Sequence, residues 1–510
     1  MTPIVFSDIL RVLGPSFFMK FLGLRLCDHD SNITYTDGIT VKYFCLERSI
    51  QHKHYGYNRL GGWKNIFNSI GVNPDEIDAI GISLDCDRHP HVECNSEKLY
   101  EEIDIKLFKW MGFKCPVYRI DHHYAHALSV WPLSKDTTID FVFDGWGDSN
   151  ICHSIFRSDE RIFKRTSDQW GSFADILGRV GNEIGLNGGL LDHAGKVMAL
   201  KGYGKDYSLG KRYSFETLNE LWYNFDYTQE YQDVVNFIRN AHEESERIHV
   251  EHFLNNTKSD DVISYSGGTA QNTIINTMIK RQRPNLHIPP HCNDCGLSLG
   301  IVEFLRKMFD QDPFDNSGFP FWQSDVSPNN PSEKTIKETA ERLANGEIVG
   351  WYQGHGEIGP RALGNRSILM RPDIKDGKDI LNSRVKHREH FRPFGASVLL
   401  DKVSDYFDWT GETPYMLYVM DVLDKQSFPS ITHVDGTCRP QTVTEENNFY
   451  HQLIIEFEKL TGIPMLLNTS LNNGGRPICG SPDDALELLA TSEMDMLVIG
   501  DNICYNNGVK

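Results

Sequence analysis

The sequence predicts a two-domain α/β protein, and three observations carry that expectation. Its 510 residues exceed what one hydrophobic core spans. Its first half alternates short β-rich runs with amphipathic stretches, and a segment dense in Pro, Asn, Ser and Asp then separates it from a second half opening helix-then-strand. In order, FLGLRL, TVKYFCLE, IDAIGISL, PVYRI and IDFVFDG read as strands with helical patterns between them. The stretch between Phe309 and Lys334 reads as a domain crossing. The expected domains are 1–335 and 336–510. The second begins with a helix over Glu333 to Asn345 and a strand in EIVGWYQ, followed by a polar, Gly-rich and Arg-rich region through Pro393. No internal repeat, heptad or low-complexity tract is visible.

Composition narrows the function. With 40% hydrophobic, 11% aromatic and 24% charged residues, the chain is ordinary globular material rather than a disordered one. A net charge of −19 opposes the phosphate neutralisation from which nucleic-acid binding draws its affinity, so a polynucleotide substrate is disfavoured. Eleven cysteines without framework spacing, and no signal-peptide pattern, make the cytoplasm the expected compartment. The longest apolar runs, such as Pro116 to Ile120, fall far short of the roughly 20 residues a spanning helix needs, so no membrane partner is expected.

Two groups of residues carry chemistry. In DHHYAHA, His122 and His126 stand at i, i+4, which places them on one helical face at metal-ligand spacing. Asp144, after an apolar strand, and Asp294, in IPPHCNDCG, could complete a His2Asp2 set suited to Fe(II), Mn(II) or Zn(II). Taken alone, an HxxxH is more often a polar helix face. Cys292 and Cys295 lack the second pair a structural zinc requires, and His89 and His91 read as a surface loop. Glycine turns at Gly23 and at Gly267-Gly268, the latter leading to Asn272, would let backbone amides approach a phosphate, although a tight strand-to-helix turn explains them as well. In the second half, Arg361, Arg366, Lys386, Arg388 and Arg392 fall within about thirty residues of an acidic chain. Such guanidinium forks are built for phosphate oxygens. His433, Arg439, Asn468 and Ser470 add hydrogen-bonding groups at later turns.

These stretches resemble the O-carbamoyltransferase family that includes the nodulation-factor, tobramycin, cephalosporin and ansamycin carbamoyltransferases. The resemblance runs from about Phe21 to Asp501. It rests on HDS at 29–31, LER at 46–48 with KH at 53–54, DHHYAHA, FDGWGD, GKVMALKGYG, SGGTAQN, PPHCNDCG, GHGEIGPRALGNRSIL, KHREHFRPF, HVDGTCRPQTV and LLNTSLNNGGRPI. It implies an N-terminal ASKHA domain, similar to the tRNA threonylcarbamoyl-transfer subunit TsaD, joined to a C-terminal YrdC-like domain. It also implies two steps: carbamoyl phosphate and Mg2+-ATP give carbamoyladenylate in the YrdC-like half, and the carbamoyl group then passes to a small-molecule hydroxyl beside a metal, Fe2+ by analogy, held by His122, His126, Asp144 and Asp294.

On this reading Lys386 and Arg361 are catalytic with the general base His29, because an alcohol needs its proton removed. Lys196, Gly267, Gly268, Asn272, Arg366, Arg388, Arg392, His433, Arg439, Asn468 and Ser470 hold nucleotide or phosphate. A homodimer is implied by the same analogy. The chain departs from the family at SGGTAQN and at LNNGGRPI, where Arg476 brings a cation in place of the usual acid. The stretches Leu60 to Arg119 and Asp206 to Asp260 follow no family pattern and are expected to shape the acceptor pocket. Two other readings stand beside this one: carbamoylation of a hydroxymethyl nucleotide, nucleic acid or tRNA, and a non-catalytic nucleotide sensor.

Overall fold

The computed structural model describes residues 18–25, 29–56, 63–84, 92–134, 136–167 and 171–506, and these form three sheets. The first comprises β1 (Phe21–Arg25), β2 (Asn32–Thr36), β3 (Val41–Cys45), β4 (Ala79–Ser83), β5 (Tyr100–Ile103) and β6 (Val117–Ile120), in the order β3-β2-β1-β4-β6-β5. β1, β4 and β6 run parallel, and β2 and β3 extend β1 as an antiparallel meander. FLGLR and AIGIS are buried at every residue, as strands covered by helices on both faces must be.

The second sheet repeats that plan. β7 (Ile139–Phe143), β8 (Ile151–Arg157) and β9 (Glu160–Thr166) form the meander, and β10 (Ile263–Ser266) and β11 (Leu286–His287) follow parallel to β7. This duplicated arrangement is the ASKHA-type architecture expected of the first half. What recurs is topology without a shared residue pattern, which is why no repeat is visible in the sequence. The spacing is hidden further by four helices inserted between β9 and β10: Phe173–Glu183, Leu190–Leu200, Phe215–Asn224 and Tyr231–Asn255. The long last helix lies over the second sheet, with Phe253 stacked on Phe141 at 3.8 Å between ring centroids.

The third sheet has eight strands: β12 (Val349–Tyr352), β13 (Arg366–Met370), β14 (Gly395–Leu399), β15 (Met420–Asp421), β16 (Thr437–Val443), β17 (Met465–Ser470), β18 (Met496–Ile499) and β19 (Asn502–Tyr505). Their order is β15-β16-β14-β17-β13-β12-β18-β19. The helix Glu333–Ala344 opens this half with Ser332 as N-cap, its hydroxyl accepting from the Thr335 amide. The apolar cluster under the second sheet continues into one face of the third, so the two halves share a core.

The Pro-rich crossing is part of that seam rather than a loose tether. Gln323 bridges Tyr43 of β3 on one side and Gly356 on the other, and Asp325 accepts from the Gly356 amide and pairs with Arg366.

Candidate active site

The ends of the parallel strands bring one cluster together. β6 runs directly into the helix His122–Leu128, whose N-cap Asp121 accepts from the Tyr124 amide at 2.9 Å. One turn apart on this helix, the His122 and His126 rings lie 4.9 Å from each other. β7 ends immediately before Asp144, and Asp294 sits at the start of the turn leading into the helix Leu297–Met308. That helix crosses the His-bearing helix so closely that a Cβ on Gly300 would lie 1.8 Å from the Ala125 carbonyl oxygen, so only glycine permits the crossing.

His122 Nε2 stands 2.9 Å from Asp144 Oδ2 and 3.5 Å from Asp294 Oδ1; His126 Nε2 stands 3.6 and 3.3 Å from the same two oxygens. All four side chains are buried, and one ligand atom from each lies within 4.8 Å of the others. The remaining carboxylate oxygens are engaged: Asp144 Oδ1 accepts from the Gly268 amide at 2.7 Å, and Asp294 Oδ2 accepts from Arg25 Nη2 at 2.8 Å. Each carboxylate therefore offers one oxygen, giving an N2O2 donor set that fits the divalent ion the resemblance implies. Burial opposes charge on His122, but Asp294 and Asp144 outweigh it and hold its pKa at about 10. Burial would raise both aspartates and Asp294 would raise Asp144 further, yet the histidines hold Asp144, and the histidines with Arg25 hold Asp294, well below the usual carboxylate range.

Beside this cluster, His29 Nδ1 lies 3.1 Å from Asp30 Oδ2 and 3.8 Å from Asp294 Oδ2. Asp30, at φ +50°, uses its other oxygen for His54 Nδ1 at 3.0 Å, and His54 Nε2 stands 3.6 Å from Asp192, which also binds Lys53. Asn32 fastens this turn to the metal loop, donating to the carbonyls of both Asp30 and Asp294. Arg25, His54 and Asp192 were not singled out as functional from the sequence. Arg25 carried a usable signal, a charge closing an otherwise apolar strand, whereas Asp192 carried none.

A cavity of about 540 Å3 lies between the two halves. From the second half it is faced by Arg361, Lys386, Arg388, Arg392 and Arg439, and from the first by Asp30, His54, Asp192, Asn293 and Cys295, the last two flanking Asp294. Among the described residues, no hydrogen bond is made by the guanidinium of Arg361 or Arg439, and the Nε of each is buried without a partner. Burial and neighbouring cations depress the pKa of Arg361, Arg388 and Arg439. Like charges gathered in this way against a cavity call for an anion.

Lys386 reaches the same wall with its ammonium already engaged, donating to Ser470 O and Asn472 O, both at 2.7 Å. Arg388 lies over the Phe394 ring and donates to Asn382 and Pro393. His433, Asn468 and Ser470 line the cavity. His433 donates to Ala199 O across the seam, and Asn468 donates to Ala362 O beneath Arg361.

Other residues expected at phosphates stand away from the cavity. Arg366 is fully buried over the Tyr352 ring and is taken up by Asp325 and the carbonyls of Gln353 and Gly354. Lys196 pairs with Glu389 and Asn187 O. Asn272 caps the helix Thr273–Lys280. Gly267, at φ +91°, presses on the Phe143 carbonyl, and Gly268 serves Asp144, so this turn holds a ligand side chain rather than lining the anion cavity. His89 and His91 lie outside the described residues. No described residue of 60–119 lines the cavity, and only Arg239 and Glu243 do so from 206–260, which instead forms helical cover for the second sheet.

Comparison with known proteins adds the family context. Residues 340–506 match the family model "Carbamoyltransferase C-terminus". The nodulation protein NolO of Bradyrhizobium diazoefficiens is 33% identical over 433 residues, 75% of this chain and 78% of that protein. The nodulation protein NolNO of Sinorhizobium fredii is 33% identical over 434 residues, and the match spans 63% of its length. A 3'-hydroxymethylcephem-O-carbamoyltransferase of Amycolatopsis lactamdurans is 34% identical over 227 residues, 42% of this chain and 43% of that protein.

Proposed function

The chain belongs to the carbamoyltransferase family, and on that premise we propose that it is an ATP-dependent O-carbamoyltransferase acting on a hydroxyl of a small molecule. The observation that carries this reading is the pair of guanidiniums, Arg361 and Arg439, that have no hydrogen-bond partner among the described residues and face a cavity whose opposite wall is the loop bearing Asp294. Water first cleaves carbamoyl phosphate to carbamate and phosphate. A carbamate oxygen then attacks the α-phosphorus of Mg2+-ATP, pyrophosphate leaves, and carbamoyladenylate remains. Arg361, Arg388, Arg392 and Arg439 stabilise the charge on the transferring phosphorus. Lys386 holds the 470–472 turn against this wall, a positioning role in place of direct catalysis.

In the second step the acceptor hydroxyl attacks the carbamoyl carbon and AMP leaves. His29, whose Nδ1 lies 3.1 Å from Asp30 Oδ2, is in our assignment the base that accepts the hydroxyl proton. A divalent metal held by His122, His126, Asp144 and Asp294, iron(II) in our assignment, supplies Lewis-acid polarisation when bound. The first-half wall sets Asp30, Glu47, Asp192 and Glu243 among Lys53, Lys201 and Arg239, a mixed-charge lining that suits a small polar acceptor better than a polynucleotide. No helix among the described residues is long and apolar enough to cross a membrane, and we place the reaction in the cytoplasm.

The test is transfer of label from labelled carbamoyl phosphate, with Mg2+-ATP, to aminoglycosides, oligosaccharides or hydroxymethyl nucleotides. ATP-dependent labelling of a hydroxyl is expected. His29→Asn should keep pyrophosphate release and lose labelled product; full transfer by that variant would remove His29 from the mechanism.

A further inference from the structure

Arg48, on the short helix Leu46–Ile50 that follows β3, is 3% exposed, yet its guanidinium reaches into the other half of the molecule. Nη1 donates to Glu357 O at 2.5 Å and Nη2 to Gly359 O at 2.7 Å. Its main-chain carbonyl lies against Gly480 so closely that a Cβ there would be 2.5 Å from it. Burial disfavours the charge, and Cys45, Glu357, Glu47 and Asp325 favour it enough to leave the pKa raised.

The loop that Arg48 grips carries Arg361 two residues after Gly359. Inside it, Glu357 Oε1 accepts from the amides of Leu363, Asn365 and Arg366, so the loop moves as a unit. Gly359, at φ +88°, packs on the loop that precedes Asp294: a Cβ would lie 2.1 Å from Pro290 O. Two contacts therefore meet at one residue. Arg48 holds its carbonyl, and the loop of the metal cluster presses on its α-carbon. A buried cation whose two hydrogen bonds both end on carbonyls of the opposite half registers those halves; it makes no contact with the cavity itself.

We propose that Arg48 is a positioning residue that couples the two half-reactions: it holds the Arg361 loop on the Asp294 loop so that carbamoyladenylate passes between them without escaping to water. This rests on the adenylate chemistry proposed above. When the seam loosens, the intermediate leaves the protein and water attacks its carbamoyl carbon. The carbon–oxygen bond to phosphate breaks, AMP departs with the electron pair, and carbamate is released.

The experiment uses the full chain with ATP, Mg2+ and carbamoyl phosphate and no acceptor, following pyrophosphate and AMP in time for wild type, Arg48→Lys, Arg48→Gln and Gly359→Ala, each checked for folding by its melting transition. Wild type should give a burst of about one pyrophosphate per chain and little AMP afterwards. The folded variants should keep the burst and release AMP roughly tenfold faster or more after it. The proposal is overturned if wild type itself turns over freely, if the variants retain AMP as wild type does, or if folded Arg48→Lys and Arg48→Gln lose burst and AMP together. Absence of any carbamoyl-phosphate-dependent burst in wild type would instead overturn the adenylate reading.

Discussion

Among the described residues the guanidinium of Arg439 has no hydrogen-bond partner; its Nε is buried, and it stands beside Arg361, Arg388 and Arg392. A charge-assisted hydrogen bond to phosphate contributes about 1.5–3 kcal/mol, so Arg439→Ala should raise the KM for ATP or carbamoyl phosphate by roughly tenfold to a hundredfold. Because the folded protein gains nothing from this cation without its ligand, the melting temperature should hold or rise; a large fall would show that Arg439 is structural. His54 makes the opposite case. Burial disfavours its charge, but Asp192 and Asp30 hold its pKa up at about 10. A folded-state pKa raised above the ordinary 6.5 means that its stabilisation is complete below pH 6.5 and fades as pH climbs toward 10. The stability difference between wild type and His54→Gln, measured by denaturant unfolding, should therefore shrink across that window; a constant difference would contradict the ion pairs. His122 and His126 were legible because a helix repeats every 3.6 residues. Arg366 lies away from the cavity and Lys386 lines it with its ammonium already hydrogen-bonded, because sequence shows that a cation is present, not which carbonyls and carboxylates have already claimed it.

Among the elements, the helix Leu297–Met308 decides the geometry of the metal cluster. It contacts both the His-bearing helix and strands β1 and β4, and it carries Asp294 at its approach. Gly300→Ala would place a methyl group in the Ala125 carbonyl, so the helices must separate at a cost of at least about 1–3 kcal/mol. We expect a lower melting temperature together with reduced metal content after metal loading, measured by elemental analysis. Retention of both would show that the crossing adjusts without moving Asp294. β1, β3, β4, β6 and β7 of the first half were readable from their apolar runs; β2, β8 and β11 were not picked out. β5 and β9 were missed as well, because such edge strands alternate or lie half exposed and give no continuous run. The glycine turn 267–268 was legible as a turn, but its service to Asp144 depends on β7 and β10 lying side by side, a long-range pairing that no local pattern records.

At the scale of the whole molecule, a duplicated ASKHA-type first part and a mixed eight-stranded second part meet along a seam that contains the cavity. The segment 309–334 read as a linker because its residues punctuate structure, yet Gln323 and Asp325 turn it into a strap between β3 and the Arg361 loop. The acidic charge of the chain is no obstacle to phosphate binding, since five cations are gathered on one wall of the cavity. The central claim is that this wall makes an activated carbamoyl group. It is tested most directly by pyrophosphate release from the purified chain given ATP, Mg2+ and carbamoyl phosphate, with each omitted in turn. Release that needs all three is the predicted result; release indifferent to carbamoyl phosphate, or none while ATP binds, would contradict it.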